Sequence, residues 1–108
     1  MMRPIIFHPK ARDVIRSFPK DARDAIGKGL YRLQMGEQLS MPNARPMPVL
    51  APGAAELRVR DLAGIYRVFY YTATAEGILV FHAFVKQTRT TPASEIKLGA
   101  RRLTELLG

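Results

Sequence analysis

The spacing of apolar residues along this chain changes character twice, and each change marks a new kind of element. "PIIFH", Pro4 to His8, is a short apolar run suited to a strand. His8-Pro9 ends it, because the residue before a proline avoids helical geometry and proline fits the first helical turn. From Lys10 to Phe18, Val14, Ile15 and Phe18 recur at spacings of three and four, the pattern of a short amphipathic helix. Pro19 interrupts it. A second helix is predicted from about Lys20 to Met35, with Ala22, Ile26, Leu30 and Leu33 on one face and Lys20, Arg23, Lys28 and Arg32 elsewhere. Gly27 and Gly29 weaken it, each marking close packing or a bend, and Gly36 suits a C-terminal cap. The two helices are expected to form a hairpin.

Residues 37–55 hold four of the eight prolines and no period, which predicts a loop long enough to suggest a functional or mobile role. From Glu56 the period becomes two. "ELRVR", "IYRVFYYTA" and "ILVFHAFVK" read as three strands joined by the turns "DLAG" and "AEG", an antiparallel meander. Thr91-Pro92 then opens a last helix, with Thr91 as N-cap and Pro92 at the first helical position. Its apolar stripe is Ile96, Ala100, Leu103 and Leu107, and Arg101 and Arg102 near its C-terminus suit the helix dipole. The order β-α-α-β-β-β-α predicts one α+β domain over residues 1–108, an antiparallel sheet with its helices on one face.

Charge adds a partner to this outline. The 108 residues carry 17 Lys and Arg against 9 Asp and Glu, a net charge of +8. Residues 1–50 hold 9 basic and 4 acidic groups and residues 51–108 hold 8 and 5, so the excess describes a folded basic surface and not a basic tail. Such a surface favours a polyanion, most often nucleic acid. With no cysteine and two histidines, the chain offers no disulfide and no Cys- or His-rich metal site, and no cofactor is expected. No apolar run reaches the length of a membrane span or a signal peptide, which makes the cytoplasm the expected location.

The strands indicate where an anion would bind. With "DLAG" as a four-residue loop, Arg60 faces Ile65 and Arg58 faces Arg67, so three arginines share one sheet face while Leu57, Val59, Tyr66 and Val68 share the other. Like charges directly across a sheet repel. The arrangement therefore calls for an offsetting anion or for good screening by water. Two registers are open for the next hairpin: one sets Arg67 against Val85, the other sets Arg67 against Lys86 and Tyr71 against His82. The second is preferred because it gathers Arg58, Arg67, Tyr71, His82 and Lys86 on one side. It also brings Phe69 and Phe84 there, either as a stacking surface for bases or under a face that is only partly open.

His82 by itself reads first as a packed, hydrogen-bonded strand residue. Beside guanidinium groups, a lysine and tyrosines it becomes a candidate for metal-free RNA cleavage. In that chemistry a base takes the 2′-hydroxyl proton, cations stabilise the phosphorane, and an acid protonates the leaving 5′-oxygen. The polar run after the last strand, Lys86 to Thr91, reads as an anion-binding rim closed by the N-terminus of the final helix.

The ordered set "ELR", "YRVFY", "HAFVKQT" and "TPASEI", with the earlier "GLYRLQMGEQL", resembles the phage-derived, HigB-like branch of the RelE/ParE toxin superfamily over about residues 20–104. The resemblance implies the RelE-like fold and a type II toxin–antitoxin toxin, usually a ribosome-dependent endoribonuclease (an mRNA interferase) that stops translation. It implies as partners a cognate helix-turn-helix antitoxin, mRNA and the ribosome, with operator DNA reached only through the antitoxin. Carried over by position, Arg58, Arg67, His82 and Lys86 are the catalytic candidates, and Arg60, Tyr70, Tyr71, Thr88 and Arg89 the RNA-binding ones. "AAE" stands before "LR" where RelE has a lysine pair, and no tyrosine follows Pro92. These departures keep two alternatives open: a ParE-like inhibitor of DNA gyrase, and a non-catalytic RNA- or partner-binding module.

Overall fold

The computed structural model describes residues 2–108. Strand β1 (Ile5–Phe7) is followed by α1 (Pro9–Ser17) and α2 (Lys20–Gln34). Then come β2 (Ala44–Pro46), β3 (Ala54–Arg60), β4 (Ile65–Thr74), β5 (Gly77–Val85) and α3 (Ala93–Leu107). The strands form one sheet in the order β1-β5-β4-β3-β2, parallel at β1–β5 and antiparallel elsewhere. The class is α+β, as expected. Among the described residues, no helix is long and apolar enough to cross a membrane.

The helices lie on both faces of the sheet, not on one. Ala22, Ile26, Leu30 and Leu33 of α2 pack with Leu57, Val59, Val68, Tyr70 and Val80 on the first face. Leu103 of α3 packs with Phe69, Leu79, Phe81 and Phe84 on the second. Two glycines permit these approaches. A Cβ on Gly29 would lie 2.9 Å from Leu57 Cδ1, and one on Gly99 only 2.7 Å from Phe69 Cδ2. Gly27, the other glycine of α2, has open space around it. Each fully buried Phe contributes roughly 1.5–3 kcal/mol, so the α3 face is a second core. The chain pattern hid this because β5 is apolar at almost every position, which removes the one-face signal.

Helix ends follow their sequence signals with two exceptions. Gly36, at φ +92°, ends α2 in a Schellman motif, with Gly36 N–H donating to the Leu33 carbonyl and Glu37 N–H to the Arg32 carbonyl, both at 3.0 Å. At the start of α1, the His8 imidazole Nδ1 accepts from the Lys10 N–H, a cap the sequence reading did not assign. At the start of α3, Pro92 and not Thr91 is the capping residue, and it has no side-chain cap bond. Thr91 spends its hydroxyl on Glu56 instead, at 3.2 Å. Arg102 does not serve the helix terminus either: it is buried and donates to His82.

The β3–β4 register is the expected one, with Arg58 opposite Arg67 and Arg60 opposite Ile65. The β4–β5 register is neither of the two considered. Arg67 faces Phe84 and Phe69 faces His82, whereas Tyr70 faces Val80, so a bulge between them leaves Phe81 as the additional residue. The observed pairing is two residues from the preferred one at Arg67 and, past the bulge, three at Tyr71. Side chains alternate with period two, so the same set still shares a face. Residues 37–55 contain β2, whose three residues are too few to leave a period in the sequence.

Candidate functional site

β3 carries Glu56, Arg58 and Arg60 on the α3 side of the sheet, and β4 brings Arg67 directly opposite Arg58. The repulsion expected from that pair is met from inside the protein. Glu56 is 1% exposed, and its Oε1 lies 3.0 Å from Arg67 Nε and 3.9 Å from Arg58 Nη1. The Arg67 Nε–H is not aligned on that oxygen, so the contact is an ion pair and not a hydrogen bond. Arg67 Nη1 donates to the Tyr66 carbonyl at 3.1 Å. Burial, and then the charge of Arg58, pull the Arg67 guanidinium below its ordinary pKa, while Glu56 opposes both.

The outer side of this cluster is open. Pro42, Arg58, Val59, Arg60 and Arg67 line a pocket of about 330 Å³. Arg58 is half-buried, Arg60 is exposed, and Arg67 forms the buried wall. Three guanidinium groups around one small concavity make a seat for an anion with several oxygens, because each planar fork can donate twice.

Lys86 approaches from the end of β5. Its backbone N–H donates to the Ile65 carbonyl at 2.7 Å. Its ammonium donates to the Thr88 carbonyl, and to the Arg89 carbonyl at 2.8 Å, within its own loop. Its pKa is lowered, first by desolvation and then by Arg67, with Arg58 and Arg45 adding to the effect and Glu56 opposing it. Lys86 thus sits in the electric field of the arginine cluster. Thr88 and Arg89 are exposed on the same loop, where Thr88 Oγ1 donates to the Thr90 carbonyl.

Three candidates do not reach the cluster. His82 is 2% exposed, beneath α3, between Phe69 and Phe84. Its Nε2 lies 2.7 Å from Glu95 Oε1 and its Nδ1 2.8 Å from Arg102 Nη1. A guanidinium can only donate, so Nδ1 is the acceptor and the ring is neutral with its proton on Nε2, directed at Glu95. Desolvation is the largest cause of its lowered pKa. The packed, hydrogen-bonded reading of this histidine is the one the geometry supports. Tyr70 is 4% exposed in the core on the opposite face, so it offers no ring to a base. Tyr71 is half-buried on the α3 side, further along β4. Phe69 and Phe84 are core residues under α3 and not a stacking surface.

Three residues of the cluster were not singled out in the sequence. Arg45 lies in β2 opposite Glu56, inside the segment read as loop. Glu56 alternates with Arg58 and Arg60 in the sequence, and a lone acid in that alternation was the signal for its role. Thr91 was assigned to a helix cap.

The profile of one sequence family, described as phage-derived protein Gp49-like, matches residues 13–104. The chain belongs to the phage-derived Gp49-like family. Among solved structures, this Gp49-like protein is similar to Escherichia coli toxin RelE, a double arginine-to-alanine mutant in the free state, at 18% identity and a TM-score of 0.66. The match covers 95% of this chain and 98% of that one. The Gp49-like chain therefore has the RelE-like fold. A comparison with curated proteins gave no match.

Proposed function

We propose that this Gp49-like protein is the toxin of a type II toxin–antitoxin system and acts in the cytoplasm as an endoribonuclease on mRNA at the ribosome, with a helix-turn-helix antitoxin as its partner. The observation that carries the reading is the pocket walled by Arg58, Arg60 and Arg67, with Lys86 in the electric field of these arginines, on a RelE-like fold. In this reading the arginines hold the scissile phosphate and stabilise the charge that builds on it during attack by the 2′-hydroxyl. Lys86, whose pKa is lowered by desolvation and by Arg67, is the proton-transfer group in this reading. Arg60, Thr88 and Arg89 grip the flanking backbone.

The test is induction of the chain in a growing bacterium, with mRNA 5′ ends mapped after growth stops. New ends on translated messages, lost together with toxicity in Arg58→Ala/Lys86→Ala, support the reading. Growth arrest with intact mRNA overturns it. A second reading, binding without cleavage or poisoning of a protein target such as gyrase, is favoured by one observation: among the described residues that line the pocket, none is a histidine, carboxylate or tyrosine. In that case the same experiment gives intact mRNA, with DNA damage if gyrase is the target.

A further inference from the structure

Among the described residues, Glu56 is the one acid inside the arginine cluster, and its position is unusual for a residue that would meet RNA. It is 1% exposed and absent from the pocket wall. A carboxylate on the surface of a phosphate site would repel the ligand, whereas this one lies behind the site. It meets Arg67 at Nε, and the same oxygen lies 3.9 Å from Arg58 Nη1. Its second oxygen accepts the Thr91 hydroxyl. Thr91 ends the segment that starts at Lys86, the loop whose carbonyls hold the Lys86 ammonium. A single buried carboxylate thus touches one arginine, lies near its cross-strand partner, and is bonded to the far end of the lysine loop.

We propose that Glu56 is the positioning residue of this site: it fixes the Arg67 guanidinium by its inner edge and, through Thr91, holds the Lys86–Thr91 loop against the arginine pair. The proposal rests on reading the pocket as a phosphodiester seat. Removing the charge of Glu56 should then affect catalysis and binding in opposite directions. Without Glu56 the site gains one net positive charge, so a polyanion is held at least as tightly. The arginine and the lysine loop lose their common anchor, so the geometry needed in the transition state is lost. A residue that touches RNA would weaken both, and one that only supports the fold would change neither in the folded fraction.

The experiment uses the full chain with Glu56→Gln, Glu56→Asp and Thr91→Val. Three quantities are measured: binding of a 2′-O-methyl oligoribonucleotide by fluorescence anisotropy, cleavage of mRNA in a translating extract corrected for folded protein, and the Arg67 Nε–H resonance by NMR. Expected for Glu56→Gln are wild-type or tighter binding, a tenfold or greater fall in turnover, and a displaced Arg67 Nε–H resonance. Glu56→Asp should recover part of the turnover, and Thr91→Val should lower turnover with the Arg67 resonance retained. Unchanged turnover in Glu56→Gln overturns the proposal, as does a parallel loss of binding and turnover. Should the wild type neither bind nor cut RNA, the functional reading fails. The resonance still decides the positioning: an unmoved Arg67 resonance in Glu56→Gln overturns it, and a displaced one supports it.

Discussion

Replacing Arg67 by alanine is the obvious test of the site, and the structure predicts that it does more than remove a functional group. Arg67 and Glu56 are a buried pair, with side chains 7% and 1% exposed. Deleting one partner of such a pair typically costs about 3–5 kcal/mol, because the remaining charge stays desolvated. Glu56 retains the Thr91 hydroxyl and a distant Arg58, which sets the expected loss near the lower end, about 3 kcal/mol. A domain of this size has roughly 5–15 kcal/mol in total. With a urea dependence of roughly 1.5 kcal/mol per M, the unfolding midpoint should fall by roughly 2 M. Urea titrations of wild type, Arg67→Ala and the double change Glu56→Leu/Arg67→Met measure this directly, and the double change should recover most of the loss because neither charge remains buried. An Arg67→Ala midpoint within about 0.5 M of wild type, on that same scale, would refute the reasoning. The consequence is practical: lost toxicity in Arg67→Ala reports on catalysis only after correction for folded protein, whereas Arg58 and Lys86 are exposed enough to be replaced more cleanly.

Gly27 and Gly99, both inside helices and without a positive φ, make a contrasting pair. Gly27→Ala meets nothing within 4 Å and should stabilise by roughly 0.5–1 kcal/mol, while Gly99→Ala drives a methyl into Phe69 and should cost roughly 1–3 kcal/mol, both read from thermal or urea unfolding. His82 is held neutral, with its folded pKa below the ordinary 6.5. Its contribution to stability is complete above that value and is lost as pH falls through it towards the folded pKa. Urea midpoints taken between about pH 7.5 and about pH 5.5 should therefore decline, and His82→Gln should flatten the decline. If the pocket cations contact phosphates, the logarithm of the RNA association constant should fall with the logarithm of salt at roughly −0.7 per contact. Arg60→Ala should then reduce the slope by about that amount without changing stability. An unchanged slope would remove Arg60 from the interface.

Much of this arrangement was legible from residue order, for identifiable reasons. The β3–β4 hairpin followed from the four-residue "DLAG" turn, because turn length sets register, and it placed Arg58 opposite Arg67. The α2 face followed from Ala22, Ile26, Leu30 and Leu33. What failed was the side of the sheet that α3 covers. In a strand as apolar as β5, periodicity carries no information about faces, and a histidine within it cannot be distinguished from one in a site. The anchors of His82, Glu95 and Arg102, come from a helix whose polar residues looked solvent-directed in one dimension. Glu56 was visible but not interpretable. A carboxylate between arginines becomes informative only when its burial is known.

The extra residue in β5 has a consequence for comparing family members. Phe81 adds a large ring under α3 without disturbing the pairing on either side of it, Val80 with Tyr70 and His82 with Phe69. A relative lacking that residue could keep both halves of the ladder in place. Homologous chains should therefore be aligned with a gap permitted at this single position. Forcing them gapless would shift the lysine column by one and hide a shared cation.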